Sequence, residues 1–330
     1  MKRVLLLTTG GTISCGTSVQ GLSPQLAGAE FLPYLSLPAD IVLEVKDIFQ
    51  LDSTNLQPAH WETIAEVVSE GIKQYDGVVI AHGTDTMAYT SSMLSYLFYG
   101  MNKPVVLTGS QLPISENGSD GPGNLQDAVL TAASGRAGVF VAFSGRIFYG
   151  ARVHKAFTKK FDAFISPNAP QAGEVENHQK VIWRDEVVPC CMVEQRNVPS
   201  LNSPVLFLKL VPGMKAGLLS SVFSAGYRGL VLEAFGAGNV PFLGEDLVEE
   251  IRRISAQFPV VVCTQCQYGG VDLSLYSTGA LALEAGAIPA GDMTPEAVYT
   301  KLIWALGQTE RVSLIRRMFE TVYCNEMTKE

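Results

Sequence analysis

A glycine turn near the amino terminus contains the first residues that could do chemistry. Thr8-Thr9-Gly10-Gly11-Thr12 follows an apolar run, and paired glycines let the backbone turn tightly and bring a hydroxyl and free N–H groups close to a ligand. The third glycine of the G-x-G-x-x-G phosphate loop is missing, which disfavours a dinucleotide site. The segment therefore predicts either a plain structural turn or a ligand-binding turn that presents Thr12.

Two further polar turns follow apolar runs in the same way. In His82-Gly83-Thr84-Asp85-Thr86-Met87, a hydroxyl, a carboxylate and backbone N–H groups stand at the start of a predicted helix, where partial positive charge favours an anion. Taken alone, Thr84 or Asp85 is equally suited to cap that helix, and we interpret His82 as structural. Asp52-Ser53-Thr54-Asn55 also precedes a predicted helix and allows the same two interpretations.

The elements that position these turns are short apolar runs alternating with longer helical patterns, which is typical of a parallel sheet with crossover helices. The sequence predicts an α/β protein with a larger N-terminal parallel-sheet α/β domain and a smaller C-terminal α/β domain. Its first strands are predicted over residues 2–9, 41–51, 77–81, 104–108 and 138–143. Because ligands of open parallel sheets bind beyond the carboxyl ends of the strands, the three turns could share one site.

A polar span with Pro189, Pro199 and Pro204 predicts the boundary between the domains. We expect an N-terminal domain over 1–186 that holds most of the active site, a linker over 187–204 and a C-terminal domain over 205–330. The C-terminal strands are predicted over 205–210, 229–234 and 259–264, and the last helices over 295–305 and 310–322. Residues 146–155 are expected to form a hairpin.

The composition narrows the classes of function. Only 17% of the 330 residues are charged, so much surface is expected to be buried, and we predict a homo-oligomer, either a homodimer or a homotetramer. The formal charge of −8 and the isoelectric point near 5.1 disfavour nucleic-acid binding, which draws on clustered Lys and Arg. The one concentrated basic patch, residues 155–160, is interpreted as a solvated loop.

Membrane and secretory classes are also disfavoured. The chain has no apolar stretch near the ~20 residues of a membrane helix, and the apolar run after Met1-Lys2-Arg3 is too short for a signal peptide. The six cysteines are scattered rather than spaced as a disulfide framework, as expected of reduced thiols. We therefore predict a soluble, cytoplasmic protein with no membrane partner.

Taken together, the polar turns belong to a longer ordered set of motifs. The set comprises Thr-Gly-Gly-Thr-Ile at 9–13, Asp-Ser-Thr-Asn-x-x-Pro at 52–58, His-Gly-Thr-Asp-Thr-Met at 82–87, Thr-Gly-Ser-Gln-x-Pro at 108–113 and Val-His-Lys at 153–155. It continues through residues 161–164, 264–266, 269–272 and 301–307. This set resembles the bacterial-type L-asparaginases and, among them, the cytoplasmic type I group.

The resemblance implies a reaction. Thr12 would attack the side-chain amide carbon of L-asparagine and form an acyl-enzyme ester with release of ammonia, and water would then hydrolyse the ester to L-aspartate. Thr84, Asp85 and Lys155 match the family's second catalytic group, in which the lysine acts as a base after losing its proton, as burial favours. No cofactor and no metal are predicted. A weaker glutaminase activity and allosteric activation by asparagine remain open.

The resemblance also implies how the substrate is held. Asp85 matches the anchor of the α-ammonium, and Ser53, with Asp52 beside it, matches the position that holds the α-carboxylate. Gly11 and Thr84 complete the substrate-binding set, and the Thr84 N–H would stabilise the oxyanion, which is worth ~3 kcal/mol per donor in other hydrolases. Asn239, within Gly-Ala-Gly-Asn, resembles a residue that family members lend to the neighbouring subunit's site.

One departure from the family concerns the segment 14–24, which is rich in Ser, Gly and Thr, as a lid would be. Many family members have a lid tyrosine that hydrogen-bonds the nucleophile, whereas the matching Gly-Leu-Ser-Pro has Leu22. Either another group polarises Thr12 or the lid works differently, so no lid residue is assigned a catalytic role.

Cys263-Thr264-Gln265-Cys266 is a C-x-x-C motif, which can indicate zinc or redox chemistry. A zinc site is disfavoured because no second C-x-x-C and no nearby histidine completes four ligands. Some type I relatives bind a second asparagine beside the cysteine in this segment and become active on doing so. Cys266 is therefore a regulatory candidate, although we favour a buried core cysteine.

Two alternative functions keep the same fold. A glutamine-directed amidohydrolase, or the amidotransferase component that deaminates glutamine while serving Glu-tRNA, differs in substrate by one methylene, worth only ~1–3 kcal/mol in a pocket. That component has an additional N-terminal domain, whereas the first strand here begins at residue 2. An amino-acid-binding sensor would not need Thr12 or Lys155, so their presence favours an enzyme.

Overall fold

A computed structural model describes residues 1–18, 21–184 and 199–329 of the chain. The chain forms two compact units, Met1–Val198 and Pro199–Glu330. Of the predicted linker, residues 187–198 lie outside the described residues.

The N-terminal unit is built on an eight-stranded sheet. The strands of this unit, including the separate pairs β2–β3 and β9–β10, are β1 Lys2–Gly10, β2 Cys15–Ser18, β3 Gly21–Pro24, β4 Ile41–Leu51, β5 Gly77–Ala81, β6 Pro104–Thr108, β7 Gly138–Phe143, β8 Arg146–Tyr149, β9 His154–Lys155, β10 Phe164–Ile165, β11 Gly173–Glu176 and β12 Lys180–Trp183. Its helices are α1 Pro58–Gln74, α2 Met87–Leu97 and α3 Gly121–Ala133.

The strand order of the large sheet is β12-β11-β8-β7-β6-β5-β1-β4. From β4 to β7 neighbouring strands are parallel, which confirms the predicted parallel-sheet α/β domain. The sheet continues beyond β7 through three antiparallel pairs. The sheet is therefore mixed, and the strands that bring the polar turns together belong to its parallel part.

Alternate residues of the central strands fill two separate cores, as the two-residue period of a strand requires. Leu5, Leu7 and Ile80 pack against α1 and α2 on one face, whereas Leu6 and Val79 pack against α3 on the other. All five residues of β5 and of β6 are buried, because helices cover both faces of the sheet. This burial holds the carboxyl ends of the strands in fixed positions.

The prediction of a hairpin over residues 146–155 is wrong. The hairpin is formed instead by β7 and β8, joined through Ser144 and Gly145, whose φ angles are 52° and 74°. Two consecutive residues with positive φ match the right-handed twist of an antiparallel pair. Within the expected hairpin, β9 leaves β8 and pairs with β10, so that Lys155 lies opposite Phe164.

The segment predicted as a lid contains the β2–β3 hairpin, in which Cys15 lies opposite Pro24. Leu22 is 54% exposed on β3. Residues 19 and 20, between β2 and β3, lie outside the described residues.

The C-terminal unit has a four-stranded parallel sheet in the order β13-β14-β15-β16. The strands are β13 Val205–Lys209, β14 Gly229–Ala234, β15 Val260–Thr264 and β16 Ile288–Pro289, and the helices are α4 Gly217–Ser224, α5 Leu247–Ser255, α6 Ser277–Glu284, α7 Pro295–Leu306 and α8 Val312–Phe319. This confirms the predicted second α/β unit. Over the ranges that the structure describes, no helix combines the length and the apolar character needed to cross a bilayer.

Candidate active site

The carboxyl ends of β1, β4, β5 and β6 meet at one edge of the large sheet, because these strands are parallel neighbours. Thr12 follows β1, Ser53 follows β4, and Thr84 follows β5. The three polar turns therefore lie at the same edge, as expected of ligand sites in open α/β sheets.

Glycines let the first and third turns touch. Gly11 has φ 77° and ψ −179°, a conformation that only glycine adopts readily, and its N–H donates to the Leu51 carbonyl at 2.9 Å. A β-carbon at Gly11 would lie 2.3 Å from Cα of Gly83, and one at Gly83 would lie 2.5 Å from Oγ of Ser53. The backbones that present Thr12 and Thr84 are thus in direct contact, with Ser53 against them.

Thr12 begins a short 3-10 turn, Thr12–Ser14, and is partly buried. Within residues 1–18, 21–184 and 199–329, no hydrogen bond involves the Thr12 side chain. Ser14 and Cys15 both donate from their side chains to the Gly11 carbonyl, at 2.9 and 3.4 Å. These bonds stabilise the turn that presents the Thr12 hydroxyl.

Lys155, Thr84 and Asp85 form one connected group. The Nζ of Lys155 donates to Oγ1 of Thr84 at 2.7 Å and to Oδ1 of Asp85 at 2.6 Å. The Lys155 side chain is 16% exposed and Thr84 is 5% exposed, whereas the Asp85 side chain is 57% exposed. The mostly buried Nζ of Lys155 is thus held between a hydroxyl and a carboxylate that reaches solvent.

Ser53 and Asp52 occupy different environments. Ser53 is 3% exposed, and its carbonyl accepts from Oγ1 of Thr86 at 2.8 Å. Asp52 is exposed, and its Oδ1 accepts from both N and Oγ1 of Thr54 at 2.9 and 2.8 Å. The Asp52 carboxylate therefore caps the short turn Ser53–Asn55, in agreement with the capping interpretation of this segment.

His82 lies below the site rather than in it. It is fully buried, its Nδ1 lies 2.7 Å from the Gly83 carbonyl, and its Nε2 lies 2.9 Å from Oγ1 of Thr90. Burial lowers the pKa of His82 to about 4, so the ring is neutral near pH 7. This placement agrees with the structural interpretation of His82.

Gln111, which follows β6, was not singled out as a site residue from the sequence. Its Oε1 lies 3.4 Å from Oγ1 of Thr84. The motif Thr-Gly-Ser-Gln at 108–111 was the available signal, and its position after the strand beside β5 indicates the same edge of the sheet.

In the C-terminal unit, Asn239 lies in the turn after β14. Its Oδ1 accepts from Oγ1 of Thr278 at 2.6 Å, and its backbone pairs with Phe235 in an isolated bridge. The turn is therefore well fixed, and the Asn239 side chain is partly buried.

The buried-core interpretation of Cys266 is wrong. Cys266 is exposed beyond the end of β15, whereas Cys263, inside the strand, is 2% exposed. Burial raises the pKa of the Cys263 thiol to about 12, so this thiol stays protonated. In the described part of the chain, no group of three or more His, Cys, Asp or Glu residues could hold a metal ion. Cys190 and Cys191 lie outside the described residues.

Two family models match the chain: "Asparaginase, N-terminal" over residues 3–188 and "Glutaminase/Asparaginase C-terminal domain" over residues 204–319. The L-asparaginase of Thermococcus kodakarensis is 42% identical, with 99% of both chains covered. L-asparaginase 1 of Escherichia coli strain K12 is 35% identical, with 100% of this chain and 99% of the relative covered.

The fold of the chain also matches that of a solved L-asparaginase structure. The thermostable L-asparaginase from Thermococcus kodakarensis matches with a TM-score of 0.92 at 40% identity, over 99% of this chain and all of the other.

A component of the glutamyl-tRNA(Gln) amidotransferase of Pyrococcus horikoshii is less similar in sequence, at 33% identity over 98% of this chain and 76% of the relative. The family models, the full-length relatives and the shared fold together show that this chain belongs to the asparaginase family of amidohydrolases.

Proposed function

We propose that this protein hydrolyses L-asparagine to L-aspartate and ammonia through an ester intermediate on Thr12. The observation that carries the proposal is the contact of the Gly11, Ser53 and Gly83 turns beside the connected Lys155, Thr84 and Asp85 side chains. This arrangement supports the proposal because hydroxyl groups, an amine and a carboxylate lie at one edge of the sheet, where they could serve as nucleophile, proton acceptor and partners for both ends of an amino acid. Relatives named L-asparaginase that match over the full chain support the choice of substrate.

Thr12 supplies the nucleophile in the first step. Its oxygen attacks the amide carbon of the substrate side chain, the C–N bond breaks, and the nitrogen leaves as ammonia after taking up a proton. In the second step water adds to the ester carbon, the bond to the Thr12 oxygen breaks, and a proton from the water restores the Thr12 hydroxyl.

Lys155 and Thr84 form the proton-accepting group. Once Lys155 has lost a proton, its lone pair can draw on the Thr84 hydroxyl 2.7 Å away, which in turn can take a proton from the attacking group. Both side chains have low exposure, and Nζ of Lys155 also donates to Oδ1 of Asp85, so the pair is held in place largely away from solvent.

The substrate's charged ends have separate partners. The exposed carboxylate of Asp85 suits the α-ammonium, and the Ser53 hydroxyl, in contact with Gly83, suits the α-carboxylate. The Thr84 N–H, near the amino end of α2, suits the oxyanion. The carboxylate of Asp52 acts through the turn that it caps, since its Oδ1 already accepts two hydrogen bonds from Thr54.

A glutamine-directed reaction is the second candidate, because a relative named as part of a glutamyl-tRNA(Gln) amidotransferase covers 98% of this chain. The pure full-length protein should release ammonia from both amino acids, with kcat/KM for asparagine higher by ~10- to 100-fold from one methylene in the pocket. A higher value for glutamine would reverse the assignment. No ammonia from either amino acid, with asparagine still binding in calorimetry, would make the protein a sensor.

Regulation and assembly complete the proposal. We propose that the protein is cytoplasmic, that it is a homodimer or homotetramer in which Asn239 serves the neighbouring subunit, and that the exposed Cys266 marks a second asparagine site. The second site predicts a sigmoidal rate curve for asparagine that becomes hyperbolic in Cys266→Ala. A hyperbolic curve that Cys266→Ala leaves unchanged would remove the regulatory role.

A further inference from the structure

The Gln111 side chain connects three parts of the N-terminal unit. Its Nε2 donates to the carbonyls of Thr158 and Lys160 at 3.2 and 3.0 Å. Its Oε1 lies 3.4 Å from Oγ1 of Thr84. The same amide therefore contacts the loop that follows Lys155 and the hydroxyl to which Lys155 donates.

The two carbonyls determine which way the amide faces. An amide nitrogen has two N–H donors and its oxygen only accepts, so the carbonyls of Thr158 and Lys160 require the nitrogen on their side. The oxygen is then left facing Thr84, whose hydroxyl hydrogen points toward it. The Thr84 oxygen is thus held between the Gln111 amide and Nζ of Lys155, which donates to it from 2.7 Å.

The backbone of Gln111 is fixed as well. Its N–H and that of Leu112 donate to the carboxylate of Asp120 at 3.0 and 3.2 Å. Asn124 donates from Nδ2 to the same carboxylate at 2.9 Å and accepts from the N–H of Ser144 at 2.8 Å. Gln111 is thus connected through Asp120 and Asn124 to the start of α3 and to the β7–β8 turn.

We propose that Gln111 is a positioning residue for the reaction: it fixes the position of the Thr84 side chain beside Lys155 and anchors the loop after Lys155. The inference rests on the proposed hydrolysis, in which Thr84 and Lys155 form the proton-accepting group. Gln111 acts through Thr84 and does not itself contact the reacting atoms. Its loss should therefore affect the chemical step more than the binding of amino acids.

Gln111→Met tests the inference because it keeps the side-chain length and removes the amide. We expect kcat for asparagine to fall by ~10- to 100-fold, the size of effect that small misplacements cause. KM and the calorimetric affinity for L-aspartate should stay within about threefold of wild type. In a Thr84→Val background, Gln111→Met should cause no further loss, because residues that act as one unit are not additive.

Gln126→Met is the matched control. The Gln126 amide also joins two segments, since it donates to the His178 carbonyl at 2.7 Å and accepts from the Ser36 N–H at 3.0 Å. The variant Gln126→Met should keep the wild-type kcat for asparagine. Gln111→Asn, whose amide is one methylene shorter, should show the same loss of kcat and serves if the methionine variant does not fold.

The outcomes separate this inference from the proposed function. If the wild type releases no ammonia from asparagine, the proposed function fails and this inference fails with it. If the wild type is active and Gln111→Met or Gln111→Asn keeps wild-type kcat, only the role of Gln111 is overturned. A full multiplicative loss in the Thr84→Val background would also overturn it, because Gln111 would then act independently of Thr84.

Discussion

The contact between Gly11 and Gly83 leaves no room for a β-carbon at either position. Gly11→Ala would place a methyl group 2.3 Å from a backbone atom and would also strain a φ of 77°. We expect this variant to lose nearly all hydrolysis and to unfold at lower denaturant concentration than the wild type. Ammonia release and urea unfolding measure the two effects.

Gly118→Ala separates strain from contact. Gly118 has φ 80°, and a β-carbon there would meet nothing within 4 Å, so only the ~1–2 kcal/mol strain of the left-handed region is expected. Activity should stay at the wild-type level. Equal losses in Gly11→Ala and Gly118→Ala would show that the contact between the two turns does not matter.

Most of the candidate site could be predicted because its residues follow predicted strands and belong to recognisable motifs. Thr12, Ser53 and Thr84 are each within three residues of a strand end. Gln111 was missed because its role depends on the carbonyls of Thr158 and Lys160, and no sequence pattern shows backbone atoms of a distant loop. Cys266 was expected to be buried, but β15 ends at Thr264, which leaves the cysteine beyond the sheet.

At the scale of elements, His82 joins the end of β5 to two helices. Nε1 of Trp61, in α1, donates to Oγ1 of Thr90, in α2, at 3.0 Å, and Thr90 lies 2.9 Å from Nε2 of His82. Because the pKa of His82 is lowered to about 4 by burial, the unfolded chain binds a proton that the folded chain does not between about pH 6.5 and 4. Stability from this group is present above pH 6.5 and is lost as the pH falls toward 4.

His82→Gln removes this titration and keeps a donor and an acceptor. The difference in unfolding free energy between wild type and variant should shrink by up to about 3 kcal/mol between pH 7 and 4. Urea unfolding at several pH values measures it. Asp127, whose pKa burial raises to about 6, contributes stability at low pH that is lost as the pH rises through 6, and the variant leaves that contribution unchanged. Parallel pH profiles would contradict the account of His82.

β5, β6 and β7 were predictable at this scale because buried parallel strands form nearly continuous apolar runs. The edge strand β4 was also predicted, although Glu44, Lys46 and Asp47 interrupt its apolar run. The bounds of β4, β5, β6 and β7 agree with the prediction to the residue. The short strands β9 and β10 were not predicted, because their pairing of Lys155 with Phe164 depends on contacts across the chain rather than on a local pattern. The antiparallel end of the sheet was missed although β7–β8 and β11–β12 are local hairpins.

At the scale of the whole molecule, the proposal that Asn239 serves a neighbouring subunit can be tested by mixing two deficient variants. If each site takes Thr12 from one chain and Asn239 from another, a hybrid of Thr12→Ala and Asn239→Ala contains one intact site. Dimers assembled from equal amounts of both should recover about a quarter of wild-type activity. Steady-state ammonia release after co-expression or joint refolding measures the recovery.

Activity no higher than the average of the two variants would contradict a shared site. Sedimentation of the mixture verifies that hybrids have formed, so that a negative result refers to Asn239 rather than to failed exchange.

The predicted organisation, with 1–186 and 205–330 as separate domains, remains a prediction beside the observed units Met1–Val198 and Pro199–Glu330.

The central claim is that Thr12 forms the ester, and Thr12→Ala tests it most directly. Ammonia release from asparagine should fall by at least ~10³-fold, as for removal of other nucleophiles. L-aspartate should still bind with an affinity within about tenfold of wild type, since Asp85 and Ser53 are unchanged. Acid-quenched wild type should also show a chain heavier by one aspartyl group on the peptide that contains Thr12. Substantial turnover by Thr12→Ala, or an aspartyl group on Thr84 instead, would contradict the account.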